Sequence, residues 1–252
     1  MDTQLLGRAV LVTGGSSGIG RATAIAFGRE GARVALTYRS DVDAANRVAA
    51  EVTSAGGDGF CVPLDLTDPN SIGLALEQVL ARLEGLDVLV ANAVRWPSDA
   101  QEPLSKADPV LWERALRANL EGTAWTVRAA WPALAASGKG RVVLVSTGVT
   151  RTGMVGASAY ATAKAGLEGL AAALKWEGAE TGILINTVAP GFTVTERNLA
   201  TFGDEVREMV RARTPSGRLS GPSDVASAIV YLGSPANRNI TGAYLPVAGG
   251  TD

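Results

Sequence analysis

The chain has 252 residues, of which 46% are apolar and 19% charged, and its formal net charge is −2. A chain of this length and composition can bury a large core, so we expect one domain over residues 1–252 that needs neither a metal ion nor a disulfide. The mildly acidic balance argues against nucleic acids and anionic membranes as partners and favours a small neutral or anionic molecule.

Histidine is absent from the sequence. Ser-His-Asp catalysis, Cys-His catalysis and histidine-ligated metal sites all need an imidazole, so these mechanisms are excluded. An enzyme built from this chain must move protons through tyrosine, lysine, carboxyl groups, hydroxyls or water. Cys61 is the single cysteine, which rules out an internal disulfide and fits a reducing compartment. With no signal-like start and no apolar run of about 20 residues, we expect a cytoplasmic protein.

Short apolar runs rich in β-branched residues alternate along the chain with longer segments of helical period. Seven runs are predicted strands, namely 9–12, 33–37, 60–64, 86–90, 141–145, 183–187 and 243–247. The segments between them are long enough for crossover helices, above all 44–55, 71–83, 110–136 and 157–181. This alternation predicts an α/β fold: a single-domain, Rossmann-type, doubly wound parallel sheet of about seven strands with helices on both faces. The irregular segment 192–222, which contains a charged helical stretch at 204–213, is predicted to be a lid.

A glycine-rich turn follows the first strand and precedes a helical segment. Its sequence is Thr13-Gly-Gly-Ser-Ser-Gly-Ile-Gly20. Glycines let the backbone approach a pyrophosphate closely, and the first amides of the helix bind its charge. The spacing is longer by one residue than the shorter dinucleotide fingerprint, and the alternative is a flexible Gly/Ser turn. The residues predicted to contact a dinucleotide here are Gly14, Ser16, Ser17, Gly18, Ile19 and Gly20.

The end of the second strand bears on the choice between the two nicotinamide dinucleotides. An acidic residue at this place binds a ribose 2′-hydroxyl, but the sequence reads Tyr38-Arg39-Ser40. The guanidinium of Arg39 can pair with a 2′-phosphate instead. We therefore predict NADP(H) as the cofactor, with NAD(H) as the less favoured one; the alternative is that Arg39 is a solvated surface arginine.

Tyr160 and Lys164 stand four residues apart, which places them on the same face of a predicted helix. A nearby cation stabilises a phenolate and lowers the pKa of a tyrosine, which is otherwise near 10. Because histidine is absent, this pair is the leading candidate for acid and base chemistry.

Together with Asn92 after the fourth strand, the glycine turn and the Tyr160/Lys164 pair resemble the short-chain dehydrogenase/reductase family, over essentially the whole chain. The resemblance implies that Tyr160 is the general acid or base toward the substrate oxygen. It also implies that Lys164 tunes this tyrosine and binds the nicotinamide ribose, and that Asn119 holds a water linking the lysine to solvent. The remaining implied cofactor contacts are Asp65 and Leu66 at the adenine, and Asn92, Ala93, Pro190, Gly191, Thr193 and Thr195 toward the nicotinamide.

Three of these assignments have plainer alternatives. Asn119 is alternatively a buried side chain bonded to backbone. Asp65 is alternatively the cap of the helix that starts near Pro69, and Pro190-Gly191 an ordinary turn.

The sequence departs from the family pattern at three places. Val94 stands where glycine is usual beside the cofactor, and Ala248 stands where aspartate is common near the C-terminus. The substrate-orienting serine of the family falls on Thr147, with Ser146 directly before it. Threonine offers the same hydroxyl, and adjacent strand residues point to opposite faces, so only one of the two should reach the substrate. We expect it to be Thr147, with Ser146 as the alternative.

The resemblance implies reduction of a ketone to a secondary alcohol, or the reverse, by hydride transfer with Tyr160 as the acid. Two alternatives are a reductase of β-ketoacyl groups on a carrier protein and a nucleotide-binding regulatory protein without turnover. An acidic carrier needs a basic docking face, for which Arg128, Lys139 and Arg141 are candidates. The side chains predicted to line the mouth of the substrate cleft are Trp96, Met154, Phe192 and Phe202.

By analogy with the family we expect a homotetramer or homodimer. Association would use the helices near 110–136 and 157–181, where small residues permit close packing. These small residues are Ala163, Gly166, Gly169 and Ala173.

Overall fold

The computed structural model describes residues 2–96 and 101–251 and has one seven-stranded parallel sheet. The strand order is β3-β2-β1-β4-β5-β6-β7, and all six pairings are parallel. The predicted fold class is therefore confirmed. The strands are β1 (Ala9–Val12), β2 (Arg33–Tyr38), β3 (Asp58–Pro63), β4 (Val88–Ala91), β5 (Arg141–Val145), β6 (Leu184–Pro190) and β7 (Tyr244–Val247).

Helices connect the strands and cover both faces of the sheet. Within the described ranges they are α1 (Gly18–Arg29), α2 (Val42–Ser54), α3 (Pro69–Leu83), α4 (Pro109–Leu116), α5 (Gly122–Ala136), α6 (Val149–Thr152), α7 (Ser158–Glu177), α8 (Glu196–Thr201), α9 (Asp204–Ala212) and α10 (Pro222–Gly233). None of the helices in residues 2–96 and 101–251 is long and apolar enough to cross a bilayer.

Two hydrophobic cores lie on opposite faces of the sheet because successive strand residues point to opposite sides. In β1, Leu11 belongs to the core shared with α3, α5 and α7. Its neighbour Val10 belongs to the core shared with α1, α2 and α10. All four residues of β1 are buried, as expected for a central strand covered on both faces.

The predicted helix at 110–136 contains a π turn. After α4 the chain makes one π turn over Arg117–Glu121 and then continues as α5. Such turns add a residue to the helix and occur often at functional sites. This one carries Asn119, which is fully buried. The predicted helix over 110–136 is thus present, and the π turn lies inside it.

The carboxyl ends of the strands form the edge at which a ligand is expected. The strand order reverses at β1, which pairs with β2 on one side and with β4 on the other. In open α/β sheets the crevice at this reversal is the usual ligand site. The glycine turn leaves β1 here, and Asn92, Ser146 and Gly191 directly follow β4, β5 and β6. The fold thus brings motifs that are distant in sequence to one edge.

The small residues expected to pack between copies of the chain do not share one surface. Ala163 is buried within its own chain. A Cβ on Gly166 would lie 2.8 Å from the Leu120 side chain, so this glycine also packs internally. Gly169 and Ala173 are exposed. Association of copies through α7 stays a prediction, and it rests on these last two positions. The lid role of segment 192–222, which carries α8 and α9, likewise stays a prediction.

Candidate active site

The glycine turn is held in shape by hydrogen bonds to the loop that follows β4. The Thr13 hydroxyl accepts the backbone N–H groups of Asn92, at 3.0 Å, and of Ala93, at 2.9 Å. The Asn92 amide donates to the carbonyl oxygens of Thr13, at 3.0 Å, and of Gly14, at 3.2 Å. The side chain of Asn92 therefore fixes the turn in place.

Three glycines of the turn cannot carry a side chain. A Cβ on Gly20 would lie 2.1 Å from the Gly14 carbonyl oxygen, and one on Gly14 would lie 2.8 Å from the Cα of Ala93. Gly14 and Gly18 also have φ values of 64° and 53°, which favour glycine. Gly18 and Ile19 begin α1, so free helix amides point into the same cradle, beside Ser16 and Ser17. This cradle fits a dinucleotide pyrophosphate.

The predicted adenine end of the site lies where β2 and β3 finish. Tyr38 ends β2 and is half-buried, whereas Arg39 and Ser40 are exposed. Asp65 accepts hydrogen bonds from the backbone N–H and the hydroxyl of Thr67, at 2.8 and 2.7 Å. Burial raises the pKa of Asp65, but these bonds and the charges of Arg39 and Arg95 outweigh it, so the net pKa is lowered.

The alternative reading of Asp65 as a helix cap is wrong. Asp68 caps α3, since its carboxylate accepts the N–H of Asn70 at 2.9 Å. Leu66 packs against the core and lies close to α5, where a Cβ on Gly122 would be 2.1 Å from the Leu66 carbonyl oxygen.

The two hydroxyls at the end of β5 face different partners. The Ser146 hydroxyl donates to the backbone carbonyl of Lys164 at 3.2 Å and lies 3.4 Å from the Glu168 carboxylate. The Thr147 hydroxyl accepts the backbone N–H of Val149 at 3.3 Å and faces the Tyr160 phenol, whose pKa it lowers. Strand alternation thus directs Thr147 toward the tyrosine and Ser146 toward the body of α7.

Burial sets the pKa values of the tyrosine and the lysine. It raises the pKa of Tyr160 above its ordinary value, and the Thr147 hydroxyl and the positive charge of Arg197 offset this only in part. Burial lowers the pKa of the Lys164 ammonium to about 8. This ammonium donates to the Val145 carbonyl oxygen at 2.7 Å. The lowered tyrosine pKa expected from the lysine is therefore not found in the protein alone.

Asn119 holds the loop after β4 instead of standing free. Its carboxamide accepts the Arg95 N–H at 2.8 Å and donates to the Arg95 carbonyl at 2.9 Å. It also donates to the Ala115 carbonyl at 3.0 Å. These contacts agree with the alternative interpretation of Asn119 as a buried side chain that is hydrogen-bonded to backbone.

The hydrogen bonds from Asn119 to the Arg95 backbone also help to position Trp96, which contacts the tyrosine. Trp96 follows Arg95, and its ring lies 4.9 Å from the Tyr160 ring, centroid to centroid, at 60°. The π turn, the Asn119 carboxamide and the Trp96 ring therefore form one chain of contacts that ends at the tyrosine.

The loop after β6 closes the other side of the crevice. Pro190 ends β6, and a Cβ on Gly191 would lie 2.8 Å from the Cβ of Ala248. The alanine that replaces the usual aspartate therefore packs against this glycine. Thr193 is buried, and the Thr195 side chain lies 3.3 Å from the place of a Cβ on Gly18.

The remaining residues expected at the cleft mouth divide into two groups. Phe192 and Phe202 pack edge to face, with ring centroids 5.4 Å apart. Met154 lies on the surface and is 46% exposed; Val94, at the family's usual glycine position and not a predicted cleft residue, is 36% exposed. The structure thus brings Trp96 against Tyr160, whereas Met154 is solvated.

Arg197, in the first turn of α8, is a residue that the sequence patterns did not indicate. It is exposed, yet its charge acts on the buried phenol of Tyr160. Its only sequence signal was its position two residues after Thr195 in the predicted lid. No group of histidine, cysteine, aspartate or glutamate side chains in the described ranges could hold a metal ion.

Comparisons with known proteins point the same way as the geometry. A family model described as enoyl-(acyl carrier protein) reductase matches residues 14–252. The chain is 37% identical to cis-4-hydroxycyclohexanecarboxylate dehydrogenase of Sinomonas cyclohexanicum over 244 residues, 96% of each protein. It is 36% identical to 3-oxoacyl-(acyl-carrier-protein) reductase FabG of Salmonella typhimurium over 244 residues, 97% of each. The solved structure of a variant of a Serratia marcescens short-chain dehydrogenase/reductase matches with a TM-score of 0.90 and 30% identity, covering 98% of both chains.

The buried lysine makes a prediction for stability against pH. With a pKa of about 8 when folded and 10.5 when unfolded, Lys164 binds more protons in the unfolded state between these values. The free energy of unfolding of the wild type should therefore rise relative to Lys164→Met above pH 8, by on the order of 2 kcal/mol at pH 9.5. Urea unfolding of the nucleotide-free proteins at pH 7, 8 and 9.5 measures this. Lys139→Met, which removes an exposed lysine, is the matched control, and parallel curves for wild type and Lys164→Met would contradict the prediction.

Proposed function

The chain belongs to the short-chain dehydrogenase/reductase family, and from this we propose that it interconverts a ketone and a secondary alcohol with NADP(H), Tyr160 being the acid or base. Its relatives are oxidoreductases, and the family implies a nicotinamide cofactor. One observation carries the proposal: α7 holds Tyr160 and the buried Lys164 against the carboxyl end of β5, at the edge that also holds the glycine cradle.

The proposed roles follow from what each group can donate. When bound, the nicotinamide supplies the hydride. Thr147 holds the substrate oxygen by a hydrogen bond, and Tyr160 donates its proton to that oxygen as negative charge develops there. Because burial raises the pKa of Tyr160, the phenol is protonated at neutral pH and is ready to act as an acid. This state suits the direction of ketone reduction.

Lys164 and Asn119 have supporting roles in the proposal. Lys164 lies one helical turn from Tyr160 on α7, and in the proposal its ammonium favours the phenolate when the cofactor is bound. We assign the return of the proton to a route through Lys164 and water near Asn119. The carboxamide of Asn119 has a second role here, because it holds the backbone that places Trp96 on the tyrosine.

The cradle residues would hold the cofactor along its length. Gly14, Ser16, Ser17, Gly18, Ile19 and Gly20 would bind the pyrophosphate, and Tyr38, Arg39, Ser40, Asp65 and Leu66 would contact the adenosine. Asn92, Ala93, Pro190, Gly191, Thr193 and Thr195 would border the nicotinamide, with Lys164 on its ribose. The close approach of Ala93 to Gly14 and of Thr195 to Gly18 supports this placement.

A carrier-bound β-ketoacyl substrate is the second candidate, and similarity to a FabG protein favours it. The basic face proposed for docking is weaker than the sequence suggested. Arg141 is 8% exposed, and its guanidinium donates to the backbone carbonyls of Lys139, Gly140 and Asn237. It also begins β5, at the sheet edge opposite the crevice. A free small molecule is therefore the better proposal.

A turnover assay distinguishes the two proposed reductase functions from that of a regulatory protein. We expect the wild type to oxidise NADPH when ketones are added, whereas a regulator would bind the nucleotide and leave it unchanged. The panel should include 4-oxocyclohexanecarboxylate, which corresponds to the alcohol in the name of the Sinomonas relative, and an N-acetylcysteamine β-ketothioester as the carrier mimic.

In the same assay the two β5 hydroxyls should behave differently. Thr147→Val keeps the shape of the side chain and removes the hydroxyl that would hold the substrate oxygen beside Tyr160, so kcat should fall about 100-fold or more. Ser146→Ala removes a hydroxyl that faces α7 and should change kcat by less than about fivefold. A larger loss in Ser146→Ala than in Thr147→Val would overturn the assignment of Thr147.

Arg39 should decide the preference for the phosphorylated cofactor. A hydrogen-bonded ion pair with the 2′-phosphate is worth about 10- to 100-fold in affinity, so Arg39→Met should raise the Kd for NADP⁺ by that factor and leave the Kd for NAD⁺ nearly unchanged. Calorimetric titration measures both constants without turnover. Arg47→Met, an exposed arginine on α2, is the control for loss of one charge. Tighter binding of NAD⁺ than of NADP⁺ by the wild type would contradict the prediction.

A further inference from the structure

A third polar side chain extends the row of Tyr160 and Lys164 along α7. Glu168 lies one helical turn beyond the lysine, so the three share one face of the helix. This face lies against the carboxyl end of β5, where the Lys164 ammonium donates to the Val145 carbonyl. The side chain of Glu168 is only 18% exposed, and a carboxylate that is mostly buried requires polar partners.

Both carboxylate oxygens of Glu168 face the segment that follows β5. Oε2 accepts a charge-assisted hydrogen bond from the Arg151 guanidinium at 3.0 Å. Oε1 lies 3.4 Å from the Ser146 hydroxyl, which is a longer and weaker contact. The Arg151 guanidinium also lies over the ring of Tyr244, 4.6 Å from its centroid. The arginine is therefore held by α7 on one side and by β7 on the other.

Arg151 lies in α6, the single helical turn that follows Thr147. The Thr147 carbonyl accepts the Thr150 hydroxyl at 2.9 Å, and the Arg151 N–H donates to the Gly148 carbonyl at 2.9 Å. The strand β5 fixes the beginning of this turn. Beyond its end the chain is solvated, since Val155 is 90% exposed. The position of the Thr147 side chain therefore depends on the strand before it and on the anchored arginine after it.

We propose that Glu168 is a positioning residue for the reaction: through its ion pair with Arg151 it holds the α6 turn, and thereby the Thr147 hydroxyl, in place. This inference rests on the proposed function, since it takes Thr147 to hold the substrate oxygen. Glu168 acts through Arg151 and does not touch the reacting atoms. Exposed ion pairs usually contribute little, so the competing role is a surface contact without effect on the reaction. The mostly buried carboxylate and the second contact of Arg151, to Tyr244, favour the positioning role.

Steady-state kinetics at saturating NADPH, with the ketone of the panel that the wild type reduces fastest, measure the effect. Glu168→Met removes both oxygens at the same side-chain length and should lower kcat about tenfold, with KM for the ketone within about twofold. Glu168→Gln keeps one oxygen for Arg151 and should recover part of the loss. Arg151→Met should cause the same loss as Glu168→Met. The double variant should lose no more than either single one, because each substitution removes the same contact.

The matched control is a second arginine that has the same two kinds of contact at a distance from the site. Arg82 lies 3.7 Å from the Asp58 carboxylate and 4.2 Å from the centroid of the Phe60 ring. Asp58 begins β3, at the sheet edge opposite the crevice. Arg82→Met should therefore leave kcat within about twofold of the wild type. A loss in Arg82→Met as large as that in Arg151→Met would overturn the positioning role.

Amide hydrogen exchange keeps this inference separable from the proposed reaction. In the nucleotide-free proteins, the amides of residues 148–152 should exchange at least about fivefold faster in Glu168→Met than in the wild type or in Arg82→Met, because the α6 turn loses its anchor. If the wild type reduces no ketone but this difference is found, the proposed reaction fails and Glu168 still holds the turn. Unchanged exchange, or faster exchange with kcat at the wild-type value, overturns the inference.

Discussion

The contact between the end of β5 and helix α7 is the constraint on which the rest of the site depends. The buried Lys164 ammonium donates to the Val145 carbonyl at 2.7 Å, and the next residue, Ser146, donates its hydroxyl back to the Lys164 carbonyl. These two hydrogen bonds fix the position and the rotation of α7 relative to β5. Because strand residues alternate, it also directs Thr147 to the other side, where it meets Tyr160. Burial disfavours the charged ammonium and lowers the pKa of Lys164, so the rest of the fold must offset this desolvation cost.

A second set of contacts reaches the same tyrosine from the opposite side. The π turn after α4 directs Asn119 at the Arg95 backbone, and Trp96 is thereby held on the Tyr160 ring. The phenol is buried as a result, which raises its pKa and keeps it protonated. Trp96 thereby forms an aromatic wall beside the tyrosine.

Features that depend on neighbouring residues could be predicted from the sequence. Features that depend on contacts between distant parts of the chain could not. The five central strands were predictable because strands covered on both faces need unbroken apolar runs. The glycine turn and the Tyr160/Lys164 spacing are likewise local patterns. The π turn was not predictable, since it accompanies a bond from Asn119 to a backbone 24 residues away. The direction of the tyrosine pKa depends on burial in the folded chain, and the influence of the Arg197 charge on that pKa depends on where α8 packs. Neither appears in any spacing of residues.

The central claim is that the Tyr160 hydroxyl delivers the proton while the rest of the site binds and orients. Tyr160→Phe removes only that hydroxyl and keeps the ring that packs against Trp96. The decisive measurement is the Kd of the variant for NADP⁺ together with its single-turnover rate for ketone reduction. The mechanism predicts a Kd within about twofold of the wild type and a rate lower by roughly 100- to 10,000-fold. A variant that binds the nucleotide and reduces the ketone at the wild-type rate would contradict it.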